Sequence, residues 1–470
     1  MKENELGPVL RQLADYAAAH RSKAGDRLHR PDATYADMLA RLDAPTPENG
    51  AAIADIINDL IERGEPGLAA MTGPRFFGWV IGGSEPAGLA ADWLTGAWAQ
   101  NTGNAHATPT ASAIEEIAGR WLLDLLDLPR DASVGFVTGA TIANFTCLAA
   151  ARGEVLRRAG WDCEARGLFG APEVHVVLGE EAHSTVFSAL KYLGLGTERV
   201  ISVAIDKQGR MLPDAFAAAM RKLSGPIIAI AQAGHINSGA FDPFTEIAPI
   251  AKEKGAWLHV DGAFGLWARA TQDMAAQAAG VELADSWGTD GHKWLQTPYD
   301  SGYAIVRDRE AHRRAMLIAA SYLPEGSERH PADYVPELSR RARGLGTWAM
   351  IKSLGRAGIA QMVSGHCALA RRMADRLTQA ADVEVMNEVV LNQLAVRLGT
   401  DLDGERADAL TQRAIARIQR EGECFIGGAL WGGRQIIRVS VIGANTTEAD
   451  IDRSADAILS AWRAERAQNT

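Results

Sequence analysis

Lys293 stands in the run Asp290-Gly291-His292-Lys293-Trp294, just after a short apolar stretch at 284–287. A lysine does covalent chemistry as a neutral amine, and burial or a cationic neighbour encourages loss of its proton. Trp294, Leu295 and the adjacent His292 argue for such a setting, against the solvated surface that lysine usually occupies. Upstream, His259-Val260-Asp261-Gly262-Ala263 carries an apolar strand that ends on a carboxylate. Open α/β sheets place ligands at the carboxyl ends of their strands, and an acid there needs a cation or donors to offset its desolvation. A protonated ring nitrogen is such a cation, and an acid beside it keeps the ring an electron sink. Taken alone, Asp261 is equally readable as a turn cap.

Three further signals follow apolar stretches. In Thr138-Gly139-Ala140-Thr141-Ile142-Ala143-Asn144, small residues between a strand and a helix let backbone N–H groups approach a phosphate at a favourable helix dipole. The alternative is an ordinary turn with Thr141 as N-cap, and neither the dinucleotide pattern nor the P-loop pattern is present. His183, in Glu180-Glu181-Ala182-His183-Ser184, either stacks on a flat ring or starts a helix. Asn237, in His235-Ile236-Asn237-Ser238-Gly239, either donates to a cofactor oxygen or occupies a turn. All five signals fall on one edge of the expected sheet, whereas unrelated polar turns would scatter between both ends. Together they describe a flat, phosphate-bearing cofactor that forms an imine with lysine, as pyridoxal 5'-phosphate does.

The elements that must position these groups alternate. Strands are expected at 135–138, 174–178, 200–205, 227–230, 257–260 and 284–287, with helices from about 143, from 184, and over 213–223 and 246–254. Short, nearly continuous apolar strands separated by helices predict an α/β domain with a mainly parallel central sheet covered by helices. Ile53, Ile56, Ile57, Leu60 and Ile61 follow helical spacing, and helices around a polar loop at 100–104 occupy 93–126. The last third predicts strands at 383–386, 391–398, 425–430 and 436–441, with helices over 407–419 and from 448. The expected division is an N-terminal helical arm over 1–85, a large cofactor-binding domain over 86–345 and a small α+β domain over 346–470.

The bulk properties narrow the class. A net charge of −10 over 470 residues and a pI near 5.6 argue against nucleic acid or an anionic membrane as the main partner. Cys147, Cys163, Cys367 and Cys424 form no metal-ligand spacing and suit free thiols in a reducing compartment. No metal is expected. The acidic start Met1-Lys2-Glu3-Asn4-Glu5 reads as no signal peptide, and no apolar run approaches the roughly 20 residues needed to span a bilayer. A cytoplasmic enzyme acting on a small molecule is expected.

The chain resembles the group II pyridoxal-phosphate-dependent amino acid decarboxylases, of the aspartate aminotransferase fold type I superfamily. The resemblance covers roughly 75–441. It is carried by Ala182-His183-Ser184, His259-Val260-Asp261-Gly262-Ala263, Ala284-Asp285-Ser286, His292-Lys293-Trp294, Pro74-Arg75-Phe76-Phe77 and the run Ser339-Arg340-Arg341-Ala342-Arg343. It implies that Lys293 bears the imine, Asp261 pairs with the ring nitrogen, and His183 and Ala263 pack on opposite ring faces. Ala140 and Thr141 would contact the phosphate with His292 close by. It also implies a homodimer whose N-terminal arm wraps the partner, with the loop at 101–106 reaching the partner's pocket. In the family a loop tyrosine at the distance of Tyr322 returns a proton to the carbanion left by carbon dioxide; Tyr322 is alternatively a packing residue. Lys293, Tyr322, His292 and His183 are thus the expected catalytic set.

The chain departs from the family pattern in three places. Asp290 replaces a frequent phosphate-contacting asparagine, and an acid facing a phosphate would be repelled unless protonated or turned aside, so it is given no phosphate role. Gly291 replaces a frequent proline, and Ile236 a frequent threonine, which would shift a ring-hydroxyl contact to Asn237. The resulting expectation is decarboxylation of an L-amino acid, releasing carbon dioxide and the amine. An aminotransferase or carbon–carbon lyase on the same fold is the alternative, and a non-catalytic protein retaining the scaffold is a further one. Trp79, Trp93, Trp98 and His106 are candidate pocket residues.

Overall fold

The computed structural model describes residues 6–318 and 328–468. The strands are β1 Ser133–Val137, β2 His175–Gly179, β3 Ile201–Val203, β4 Ile227–Gln232, β5 Trp257–Asp261, β6 Ser286–Asp290, β7 Gly302–Val306, β8 Val383–Val385, β9 Gln393–Leu398, β10 Gly427–Trp431 and β11 Arg434–Ser440. Among the described residues the large sheet has seven strands in the order β1-β7-β6-β5-β4-β2-β3. The pairs from β6 through β5, β4 and β2 to β3 are parallel, and β7 runs antiparallel to both β1 and β6.

The apolar runs are continuous because both faces of this sheet are covered. Along β4, Ile227, Ala229 and Ala231 join one core with Phe136, Leu258 and Trp267, while Ile228 and Ile230 join another with Val137, Leu178 and Trp257. That split follows from the two-residue period of a strand. The strand β7 was not among the expected ones. Its antiparallel insertion fixes β1 beside the end of the chain segment that carries Lys293.

A second sheet, β10-β11-β9-β8, is antiparallel and packs on the helix Gly404–Glu421, with the helix Glu448–Gln468 in the same core. The helical run Gly344–Leu377 bridges both cores and is broken at Gly355, whose φ of 62° suits glycine. Its Met350, Ile351 and Ile359 belong to the large core, and its Ala370, Met373 and Leu377 to the small one. The proposed division between 345 and 346 falls at the start of this bridge.

The N-terminal part contains the helices Leu6–Ser22, Tyr35–Leu42 and Ile53–Gly64. Thr34 closes a capping box with Asp37 at the start of the second. The third has the expected apolar spacing, yet none of its residues is buried, and Ile56 and Leu60 are 51% and 61% exposed. No described helix is long and apolar enough to cross a membrane.

Candidate active site

Asp261 ends β5 and is buried. Its Oδ1 accepts the Ala263 N–H at 3.2 Å and its Oδ2 accepts from Asn144 Nδ2 at 3.1 Å. Behind Asn144 lies an ordered chain of donors. Trp257 Nε1 donates to Ser286 Oγ (2.8 Å), Ser286 Oγ meets His259 Nδ1 (2.9 Å), and His259 Nε2 meets Asn144 Oδ1 (3.0 Å). Burial pushes His259 down to about 3, so the ring is neutral and each nitrogen has one role. With Nδ1 accepting from the serine, Nε2 donates to Asn144 Oδ1, which turns the Asn144 amide N–H toward Asp261. Neutral donors thereby hold the Asp261 carboxylate, and no cation among the described residues forms an ion pair with it. Close approach of the helix Ala140–Arg158 to β6 requires Gly288, where a Cβ would lie 2.6 Å from Asn144 Oδ1.

Lys293 is half-buried, with Nζ 2.9 Å from Asp290 Oδ2. The other oxygen, Oδ1, accepts the backbone N–H of Ala140 at 2.6 Å and lies 3.5 Å from His292 Nε2. Ala140 opens its helix with Gly139, not Thr141, at the cap position and no side-chain cap. Thr141 is partly exposed in the first turn. The helix begins at Ala140 rather than near Ala143, which brings the expected phosphate segment into direct contact with the lysine's neighbour. A Cβ on Gly82 would overlap the Lys293 carbonyl oxygen, so the segment after Phe77 also lies against the lysine.

His183 starts the helix Ser184–Tyr192, its Nδ1 accepting the Thr185 N–H at 3.3 Å. Burial holds it below the usual histidine value, and the charges of Asp261, Lys293, Arg438 and Asp290 all act on its ring. His292 accepts the Ser301 N–H on Nδ1, stacks on Tyr299 at 4.3 Å and is likewise held low, chiefly by burial. The strand-end residues Ala140, His183, Asp261, Ala263, His292 and Lys293 therefore gather at one edge. Asn237 lies on the loop after β4, its Oδ1 buried without a hydrogen-bond partner among the described residues, and no hydrogen bond there ties it to the other site residues. Tyr322 lies outside the described residues. Trp79, Trp93 and Trp98 are 51%, 41% and 47% exposed, and His106 is exposed.

Sequence reasoning missed Arg438. It projects from β11, burial lowers its pKa, and its Nε has no hydrogen-bond partner among the described residues. Among the described residues no acid forms an ion pair with it. The signal is a missing partner, which no local pattern encodes. Asn144 was visible as a residue of the phosphate segment, but its link to Asp261 is a tertiary contact.

This donor set fits pyridoxal phosphate: an imine-capable lysine, a buried carboxylate held only by neutral donors, a helix start with a backbone donor, and a free guanidinium. The comparisons agree. The family described as "Pyridoxal-dependent decarboxylase conserved domain" matches residues 36–399. The chain is 26% identical to the aromatic-L-amino-acid decarboxylase of Bacillus atrophaeus, covering 87% of this chain and 86% of that protein. It is 28% identical to the L-2,4-diaminobutyrate decarboxylase of Rhizobium meliloti (strain 1021), covering 88% and 83%. In fold it is similar to Oryza sativa TDC, solved with PLP and tryptamine (TM-score 0.91, 22% identity, 99% of each chain), and to mouse CSAD (TM-score 0.90, 22% identity, 98% and 99%). The chain belongs to the pyridoxal-dependent decarboxylase family and is a pyridoxal-phosphate-dependent amino acid decarboxylase.

Proposed function

We propose that Lys293 anchors the cofactor through Nζ while the chain removes the carboxyl group of an L-amino acid and releases the amine. The observation that carries this reading is the convergence of Lys293, Asp261, His183 and the start of the helix Ala140–Arg158 on one sheet edge. Pyridoxal phosphate, when bound, supplies an aldehyde carbon for the imine and a ring that accepts the electron pair left by carbon dioxide.

The protein's own groups have distinct tasks. Asp261, oriented by Asn144 and the Ala263 N–H, holds a proton on the ring nitrogen. Ala140 and Thr141 offer N–H and hydroxyl donors to the phosphate. His183, held below the usual histidine value by burial, would pack on one ring face, with Ala263 on the other. Arg438, a desolvated cation with no paired acid among the described residues, binds the substrate carboxylate and sets the angle at which its bond breaks. Tyr322, or His292 in its place, returns a proton to the α-carbon. Asn237 would meet the ring hydroxyl, its buried Oδ1 being free to accept that proton.

A homodimer belongs to the same proposal: Ile56 and Leu60 of the arm and Trp93 and Trp98 near the site are exposed in the single chain, and a second copy would cover them. The acidic chain and its four buried free cysteines suit the cytoplasm. The test is a panel of L-amino acids given to the purified enzyme with pyridoxal phosphate. Equal amounts of carbon dioxide and amine are expected for at least one; keto acid or aldehyde as the sole product would sink the reading in favour of the transaminase or lyase alternative.

A further inference from the structure

Asp290 is buried at the centre of the site, and the mechanism above gives it no task. Its two oxygens are already committed. One takes the Ala140 N–H, the backbone donor offered to the phosphate, at 2.6 Å; the other pairs with Lys293 Nζ at 2.9 Å. The backbone around it is pinned on several sides. The Asp290 N–H donates to Ala263 O (3.0 Å), its carbonyl accepts from Trp267 Nε1 (3.0 Å), and the Gly291 N–H donates to Ser301 O (3.0 Å). Only side-chain rotation can therefore move the carboxylate off the helix start. Room for rotation is also limited: a Cβ on Gly139 would lie 3.0 Å from His292 Cε1 and 3.3 Å from Asp290 Oδ1. Even when turned, the carboxylate stays within a few ångströms of any anion at Ala140, in a setting that screens charge poorly.

We propose that Asp290 is an internal anion that competes with the cofactor's phosphate for the start of the helix Ala140–Arg158, so that the carboxylate must turn aside for the cofactor to bind. The inference rests on the reading that Lys293 and Ala140 hold pyridoxal phosphate. Its consequence is specific: Asp290 weakens binding of the phosphorylated cofactor and leaves binding of the same ring without phosphate nearly unchanged. An acid at this position makes the enzyme exchange its cofactor more readily than a neutral residue would.

The experiment compares the full-length wild type with Asp290→Asn after removal of cofactor, titrating each with pyridoxal phosphate and, separately, with pyridoxal. Visible absorbance of the lysine adduct and tryptophan fluorescence give the two dissociation constants. Asp290→Asn should tighten pyridoxal phosphate by about tenfold or more, the equivalent of about 1.4 kcal/mol, while pyridoxal changes less than about threefold. Equal tightening of both would mean that Asp290 acts on the Lys293 proton alone, and would overturn the competition. Unchanged or weaker binding of pyridoxal phosphate would overturn it too. Asp290→Ser removes the charge with a smaller side chain and must show the same split should the asparagine variant fail to fold. If wild type forms no borohydride-fixed adduct at Lys293, the underlying reading fails; if it forms one and the split is absent, only the role of Asp290 fails.

Discussion

Two regions of this molecule bury charge, and they do so in opposite ways. Beside β1, Arg340 and Glu115 are both fully buried and 2.7 Å apart. Arg340 also donates to the carbonyls of Thr102 and Phe136, and Arg329 lies 3.8 Å from Glu115. Every charge there has an opposite charge fixed next to it. At the carboxyl edge of the same sheet, Asp261 is held by neutral donors, Arg438 has no paired acid among the described residues, and Asp290 pairs with Lys293. The contrast separates architecture from function: in the first cluster each charge faces an opposite charge from the protein itself, and in the second Asp261 and Arg438 face none among the described residues.

The largest expected effect lies on the ligand side. Lys293→Ala should lose turnover by several orders of magnitude while still folding, because Asp290 keeps the Ala140 N–H as a partner. Substantial remaining turnover would end the assignment. On the architectural side, Arg340→Met leaves the buried Glu115 with only the more distant Arg329 and should cost about 3 kcal/mol of stability, seen as early melting. A change below about 1 kcal/mol would erase the contrast.

Asn144→Ala sharpens the comparison at intermediate size. It removes one donor from Asp261 and breaks the chain from His259, so kcat should fall by roughly tenfold to a hundredfold, with a shifted absorbance of the bound cofactor and little change in melting. Loss of stability without a spectral shift would make Asn144 merely structural.

Acid should act on both regions together. His259 behind Asp261 and His312, which bonds Ser133 of β1 at 2.8 Å, are both pushed down to about 3 by burial. A histidine whose folded value lies below its ordinary 6.5 contributes stability that is complete above 6.5 and is lost as pH falls toward the folded value. The melting temperature should therefore decline steadily from pH 6.5 to 4; a flat profile would contradict the burial of these rings. The smallest effect belongs to exposed pairs in the small domain. Arg376→Ala, which breaks a 2.6 Å contact with Asp456, should stay within about 0.5 kcal/mol of wild type by denaturant unfolding.

The sequence made the sheet edge legible because each functional segment follows a short apolar run whose end is marked by a polar or small residue. That is why Asp261, His183 and the segment at 138–144 were visible, and why a mainly parallel sheet could be expected, although the helix start itself lies at Ala140 and not near Ala143. The strand β7 was overlooked although Gly302-Tyr303-Ala304-Ile305-Val306 has the same apolar character; its antiparallel sense breaks the alternation that revealed the others. Asp290 was recognised as an acid in an awkward place, but its bond to Ala140 joins residues far apart in the chain. Arg438 and the Ser286–His259–Asn144 chain were invisible for the same reason: what marks them is a partner, or the lack of one, across the fold.

The central claim is that Lys293 carries the cofactor. Borohydride reduction of the enzyme with pyridoxal phosphate, followed by mass mapping of its peptides, tests it most directly. The account predicts one reduced adduct, on the peptide containing Asp290-Gly291-His292-Lys293-Trp294, absent from Lys293→Ala. An adduct on a different lysine, or none while activity persists, would contradict it.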